Sequence, residues 1–342
     1  MARYQADVII IGGGIVGCTT AYQLTRAGVD VLLLDRNGIG SGASGRSGGG
    51  VRQSARVSEE IPLAKASVAL FPGLSDELGV DIEYVQAGNL RVVESFDYRR
   101  AIQVDVARQQ SHGLDVSWLE VADVLELVPA LRWQSIIGAS YCPDDGHCNP
   151  LRLVTGFYNK AIEGGTRVLL NCEVQNITQT DSGLAEVETL THTATAPVVV
   201  LAAGFGSQEL CYRIGYDLPL ANVRYESMIT EPLPPLFQQM FGVASSDLFF
   251  RQTGNGGVHF GGGILEETGQ EDTRTTSSNL QLAVAHISKL VSDLEKAKLL
   301  RTWGGLDPST PDGMPIIDFL NDNVLLASGF CGHGLATGPN VG

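Results

Sequence analysis

The stretch Ala6-Asp7-Val8-Ile9-Ile10-Ile11-Gly12-Gly13-Gly14-Ile15-Val16-Gly17 runs straight into Cys18–Ala27, Gly28 and then Val29–Leu34-Asp35-Arg36. Ala6–Ile11 reads as a continuous apolar strand of the kind buried on both faces of a parallel sheet. Cys18–Ala27 reads as a helix with Ala21 and Leu24 on its inner face, closed by Gly28. Val29–Leu34 is a second apolar strand, and the whole is a βαβ unit. Within it, Gly12 permits a tight turn, Gly14 lets backbone approach a pyrophosphate, and Gly17 lets helix pack on strand. The pyrophosphate would rest on the helix N-terminus beside Ile15 and Val16, where free N–H groups and the positive dipole end meet its charge. Asp35 follows Gly17 by 18 residues and is placed to accept hydrogen bonds from a ribose. A carboxylate there disfavours a 2′-phosphate, so the unit expects FAD or NAD over NADP.

Composition agrees with a folded chain. The 342 residues are 44% hydrophobic and 18% charged, which excludes a disordered chain. A net charge of −15 argues against nucleic acid or an anionic membrane surface as partner. The 41 glycines stand well above the roughly 7% average, without a collagen period. No run approaches the ~18 apolar residues of a membrane helix, and no signal peptide is visible. The six cysteines lack disulfide or zinc spacing, and Cys142-x5-Cys148 around His147 has no second ligand pair, so no metal is expected. A reduced, cytoplasmic setting is the expectation.

Further along, Asn149-Pro150 reads as an N-cap with proline at the first helical position, opening a helix that stops at Gly164-Gly165. Arg167–Leu170 and Ala196–Ala203 read as strands, the second running into Gly204. The 4, 3, 4, 3 spacing of Leu280, Val284, Ile287, Val291 and Leu294 predicts a helix over Ser278–Leu300.

The fingerprint alone serves NAD and FAD alike. The loop that follows, Gly38–Gln53, is rich in glycine and serine, and it points to backbone wrapped around something extended and flat. From here the chain resembles the FAD-dependent D-amino-acid oxidase superfamily, which includes glycine and sarcosine oxidases and the β subunits of L-proline, hydroxyproline and opine dehydrogenases. The resemblance rests on the glycine fingerprint through Asp35-Arg36, on Ser41–Gln53, and on Asp145-Gly146-His147-Cys148-Asn149-Pro150. It also rests on Glu173-Val174, on Leu201-Ala202-Ala203-Gly204, and on three C-terminal runs. Those are Arg301–Leu306, Thr310-Pro311-Asp312-Gly313-Met314-Pro315 and Gly329-Phe330-Cys331-Gly332-His333-Gly334.

The resemblance implies a Rossmann-type FAD-binding domain (1–86, 145–222 and 301–342) interleaved with an α+β substrate domain on a mostly antiparallel sheet (87–144 and 223–300). It implies cofactor contacts from Ser41, Ala43, Ser44, Arg46, Gly49, Gly50 and Val51 beside pyrophosphate and isoalloxazine. Val174 would meet adenine, with Ala203 and Gly204 nearby. Gly305, Gly329, Gly332, His333, Gly334 and Leu335 would lie along the flavin. Arg52, Tyr225, Arg251, His259 and His333 are the implied substrate-side and catalytic candidates, with His259 at the position of a lysine that activates oxygen in sarcosine oxidases. Three departures matter. Gly305 stands where monomeric sarcosine oxidases attach FAD through cysteine, so non-covalent FAD is expected. Asp307 stands before Pro308 where glycine and D-amino-acid oxidases carry a carboxylate-clamping arginine. Asp318 replaces a frequent glycine, and nothing in the sequence explains it. Relatives continue into a further helix, so more chain is expected beyond Gly342.

The implied activity is oxidation of an amino acid or secondary-amine acid (proline, hydroxyproline, sarcosine or opine type) by hydride transfer to flavin, giving an imine that hydrolyses. The loop Gly45–Gln53 looks most like that of dehydrogenase β subunits, which implies partner subunits. The alternatives are a stand-alone glycine or D-amino-acid oxidase releasing hydrogen peroxide, an NAD-linked dehydrogenase, and a flavin-carrying subunit without catalysis.

Overall fold

A computed structural model describes residues 2–262, 266–267 and 271–342, with only the backbone of 266–267. Residues 263–265 and 268–270 of the expected substrate domain lie outside the described residues. Val8–Ile11 and Val31–Leu34 pair in parallel, Ile10 opposite Leu33, as the apolar runs predict. Arg167–Leu169 extends the sheet beyond Val31–Leu34. On the other side follow Val198–Leu201, Val324–Ser328 and the antiparallel edge Ile316–Phe319.

Alternation along the strands explains why they are apolar throughout. Ile10, Leu33 and Val200 pack with Ala21, Phe157 and Leu335 from the helices Ile15–Arg26, Pro150–Glu163 and Gly334–Val341. Ile9, Ile11, Leu32, Leu34 and Leu201 point the other way, onto Val174, Val187 and Ala194 of a four-stranded sheet. Both faces are covered, so no polar alternation is needed. Asn149 caps its helix by accepting the Arg152 N–H at 3.3 Å, with Pro150 in the first turn.

Two expectations are corrected. The strand expected over 196–203 is two strands, His192–Ala196 in the four-stranded sheet and Val198–Leu201 in the parallel sheet. Pro197 separates them, having no N–H to give either ladder. The helix expected over 278–300 ends at Leu290; Val291 is extended, a 3-10 turn covers Ser292–Lys296, and Leu299–Ser309 is a strand. Arg132 N–H takes the Leu290 carbonyl at 2.9 Å, and Leu131 bridges Val291. Ile287 and Leu294 still share one core across the break, so the periodicity reported a buried face and not an unbroken helix.

The second sheet is mixed. Ala221–Pro232 pairs with Gly257–Gly261 on one edge and with Leu299–Ser309 along its length. The order then runs through Phe249–Gln252, Met240–Val243, Asn89–Val93, Gly138–Cys142 and Ser117–Leu119, with Met240–Val243 and Asn89–Val93 parallel. The boundary expected at 300/301 therefore falls inside a strand of this second sheet. The chain returns to the parallel sheet only after Ser309.

Candidate active site

Gly12 ends the first strand at φ +114, and a Cβ there would overlap the Ala202 carbonyl. A Cβ at Gly17 would overlap the Gly12 carbonyl oxygen, so helix Ile15–Arg26 reaches the sheet only because Gly17 has none. That helix starts at Gly14 with no side-chain cap and no acidic residue in its first turn, leaving its positive end for an anion. Ser44 reaches in from the following loop, its Oγ accepting the Ile15 N–H at 3.0 Å. Asp35 closes the second strand; its Oδ2 accepts the Gly13 N–H at 2.7 Å and its Oδ1 the Asn37 N–H at 2.8 Å. The carboxylate is thereby aimed at the glycine turn, with lone pairs left for a ribose.

A connected cavity of about 1240 Å³ opens from this turn, larger than the roughly 300–1,000 Å³ of ordinary small-molecule sites. Its dinucleotide end is walled by Gly12, Gly14, Ile15, Val16, Asp35, Arg36, Val174, Ala203 and Gly204. Its middle is walled by Ser41, Ala43, Ser44, Arg46, Gly50 and Gly305, and by Gly332, His333, Gly334 and Leu335. Arg52 and Tyr225 line the far end with Asp307, Met240 and Phe249. Gly17, Gly49, Val51 and Gly329 lie behind this wall, shaping backbone turns without lining the space.

The loop Ser41–Arg52 is fixed from the second sheet and from the buried turn at Asp145. Arg46 donates to the Ser41 carbonyl at 3.1 Å and the Gly304 carbonyl at 2.8 Å, while Trp303 Nε1 donates to the Arg46 carbonyl. Asp145 is fully buried below the loop, accepting the Gln53 N–H at 2.8 Å and the Ser54 hydroxyl. Burial pushes its carboxyl up, although those bonds and Arg52 pull the other way.

Arg251 and His259 do not line the cavity. Arg251 is buried, its Nε donating to the Gly48 carbonyl at 2.6 Å and its Nη1 3.4 Å from His147 Nδ1. It braces the loop from behind. His259 sits between Phe249 and Trp303, with ring centroids 5.7 and 5.0 Å away. Burial, helped by Arg251, pushes its pKa down to about 3, so it is a neutral ring.

His333 caps the last helix and its Nδ1 lies 2.9 Å from both oxygens of Glu60. Burial and Arg56 push His333 down to about 4. Burial works to raise Glu60, but the His333 hydrogen bond and Arg56 outweigh it and hold the carboxylate below its ordinary range. A neutral imidazole donating from Nδ1 to a carboxylate satisfies both, which leaves Nε2 as a hydrogen-bond acceptor. Asp307 accepts the Gly332 N–H at 2.6 Å, and burial raises its carboxyl to about 6. Tyr225 lies over Gly332; burial, then Asp307, raise its phenol to about 12, so it stays protonated.

A model of the DAO family, described as FAD dependent oxidoreductase, matches residues 7–342. The chain belongs to the FAD-dependent oxidoreductase (DAO) family. FAD is the cofactor of this family, and the helix end free of acidic residues, the side-chain-free glycine turn and the long cavity fit it. Glycine oxidase of Geobacillus kaustophilus is 26% identical, covering 99% of this chain and 91% of its own. The beta chain of sarcosine oxidase of Rhizobium meliloti is 28% identical over 98% of this chain and 82% of its own. An opine oxidase subunit of Rhizobium meliloti is 28% identical over 92% and 85%. Among solved structures, L-proline dehydrogenase from P. horikoshii superposes with a TM-score of 0.92 at 28% identity, over 99% of this chain and 91% of that one.

Sequence reasoning missed Arg56, Glu60, Asn89 and Arg91, all grouped around Arg52 and His333. Arg52, Arg56 and Glu60 recur every fourth residue, yet this segment is turns and not helix, so helical spacing carried no information. Asn89 and Arg91 look like ordinary strand residues until the sheet turns them to the cavity. Among the described residues, no helix is long and apolar enough to cross a membrane.

Proposed function

We propose that the protein oxidises an amino acid or secondary-amine acid of the proline, hydroxyproline, sarcosine or opine type, as the FAD-bearing β subunit of a larger dehydrogenase. The observation that carries this reading is the continuity of the cavity from the dinucleotide turn to a chamber walled by Arg52, Tyr225, His333 and Asp307. FAD, when bound, would supply the acceptor for the hydride, which takes with it the electron pair of the substrate's α C–H bond, and water would then convert the resulting imine to a carbonyl compound and an amine.

The chain's own groups do the rest. An amine can give up hydride only when its nitrogen carries a lone pair, so its ammonium proton must leave first. Glu60 holds the other ring nitrogen of His333, which leaves Nε2 as a hydrogen-bond acceptor that orients an N–H of the amine, while the ammonium proton leaves to water. Tyr225, kept protonated, offers a hydroxyl for orientation. Asp307 disfavours a carboxylate beside it, which weighs against a glycine-oxidase mode of binding. The relatives named for sarcosine, opine and proline support the substrate class, and the subunit designations of two of them support the assembly.

The test is an anaerobic screen of the FAD-loaded chain with proline, hydroxyproline, sarcosine, opines, glycine and D-amino acids, read as loss of flavin absorbance. Secondary-amine acids are expected to bleach the flavin, and exclusive bleaching by glycine or primary D-amino acids overturns the substrate class. Reoxidation faster with an acceptor dye than with oxygen is expected of a dehydrogenase subunit. Equal rates replace that role with a stand-alone oxidase.

A further inference from the structure

Position 307 cannot clamp a substrate carboxylate, yet the chamber contains cationic groups in want of an acceptor. Arg56 is 3% exposed and lines the cavity. Its Nη2 donates to the Arg52 carbonyl at 3.1 Å, but Nε and Nη1 have no hydrogen-bond partner. Unpaired guanidinium N–H groups in a buried wall are unfavourable unless something arrives to accept them. The nearby carboxylates are committed elsewhere, Glu60 to His333 and Asp145 to Gln53 and Ser54.

Asn89, also 3% exposed and on the cavity wall, shares the condition. Its Nδ2 donates to Ser54 Oγ at 3.4 Å while its Oδ1 has no partner. Arg91 lies two residues along the same strand, hence on the same face, and it too lines the cavity. Among the described residues it makes no salt bridge. Asp247, which also lines the cavity, feels its charge without bonding to it.

We propose that Arg56 and Arg91 form the receptor for the substrate carboxylate, taking over the task that position 307 has lost. A carboxylate is acceptor-only with four lone-pair sites, matched to guanidinium donors. Arg52 adds positive potential beside them, and Asn89 Oδ1 supplies an acceptor for an N–H of the same zwitterion. The substrate therefore enters with its carboxylate toward strand Asn89–Val93 and away from Asp307. This assignment rests on the amino-acid reading above and says where that class of substrate is held.

The test uses ligands that cannot be oxidised at nitrogen. FAD-loaded protein is titrated with acetate and with tetrahydrofuran-2-carboxylate, a proline analogue with oxygen in place of nitrogen, and perturbation of the flavin spectrum is read. Wild type is expected to bind both. Arg91→Gln should weaken binding about 10- to 100-fold, the loss of one charged hydrogen bond, and Arg91→Lys should recover part of it. Arg56→Lys, which keeps the buried charge, should weaken it less than Arg56→Met. In turnover, Arg91→Gln should raise KM for proline far more than it lowers kcat, while leaving pyrrolidine, which has no carboxylate, unaffected. Wild-type carboxylate affinity in both Arg91→Gln and Arg56→Lys overturns the proposal, as does absence of any perturbation in the wild type. Because the titration needs no turnover, it stands apart from the bleaching screen. Failure of every amino acid to bleach the flavin removes the functional reading whatever the titration shows.

Discussion

Asp307 Oδ2 accepts the Gly332 N–H at 2.6 Å, tying the long strand Leu299–Ser309 to the loop before the last helix. Tyr225 overlies the same junction, its ring 3.5 Å from where a Gly332 Cβ would stand. A carboxylate thus occupies this part of the wall, and the fold uses it to hold a loop.

Burial raises Asp307 from 3.8 to about 6. A folded-state pKa above the unfolded value means that the folded form holds the proton more tightly. The stability this contributes is complete below the unfolded pKa and is lost as pH rises through about 6. Asp307→Asn keeps an acceptor for Gly332 and removes the titration. The variant should therefore gain on wild type between pH 4 and 7, by on the order of 1 kcal/mol after allowing for partial exposure. Thermal unfolding of both apoproteins across that range checks it, and a pH-independent difference contradicts it.

The fingerprint glycines separate into structural and ligand-facing positions. Gly17→Ala drives a Cβ into the Gly12 carbonyl and should destabilise the apoprotein by on the order of 2–3 kcal/mol. Gly14→Ala meets only Ser44 Oγ, at 3.1 Å, and that hydroxyl can turn aside. It should keep the fold and lose FAD affinity. Chemical unfolding of the apoproteins with FAD titration distinguishes the two, and equal loss of stability in both refutes the division.

Asp35 bonds two backbone N–H groups and faces the cavity. Asp35→Ala should weaken FAD binding by about 1.5–3 kcal/mol, the value of a charged hydrogen bond, and Asp35→Asn by less. Fluorescence titration of FAD into each apoprotein measures this. Equal affinities in all three proteins sink the ribose assignment.

His259, held near 3, stays neutral across the working range. Reoxidation of the flavin should then show no pH step from this residue, although Asp307 titrates nearby. A step near pH 6–7 that disappears in His259→Gln but persists in Asp307→Asn would contradict a neutral His259.

The dinucleotide half of the molecule was readable because its reasons are local. Strand, glycine turn, helix and Asp35 lie within one short segment, and each glycine answers a steric demand that backbone alone imposes. The substrate chamber is different. Arg251 and His259 looked available as strand residues, but pairing of Phe249–Gln252 with Gly257–Gly261 turns them behind the wall. Arg56, Asn89 and Arg91 meet there through sheet register and a loop anchored by Asp145, 89 residues further along the chain than Arg56, so no spacing announces them. The break at Val291 was hidden for the same reason: its cause is Leu131 and Arg132, far away in sequence.

The proposed reaction removes hydride from a carbon bearing nitrogen. The most direct measurement is anaerobic stopped-flow reduction of the FAD-loaded protein by proline and sarcosine, each with hydrogen or deuterium on the carbon that is oxidised. Bleaching by at least one of these acids is expected, slowed several-fold by deuterium, with one carbonyl product formed per flavin reduced. Bleaching that ignores the isotope while reduction is limited by chemistry, or a flavin that no amino or imino acid reduces, would contradict it.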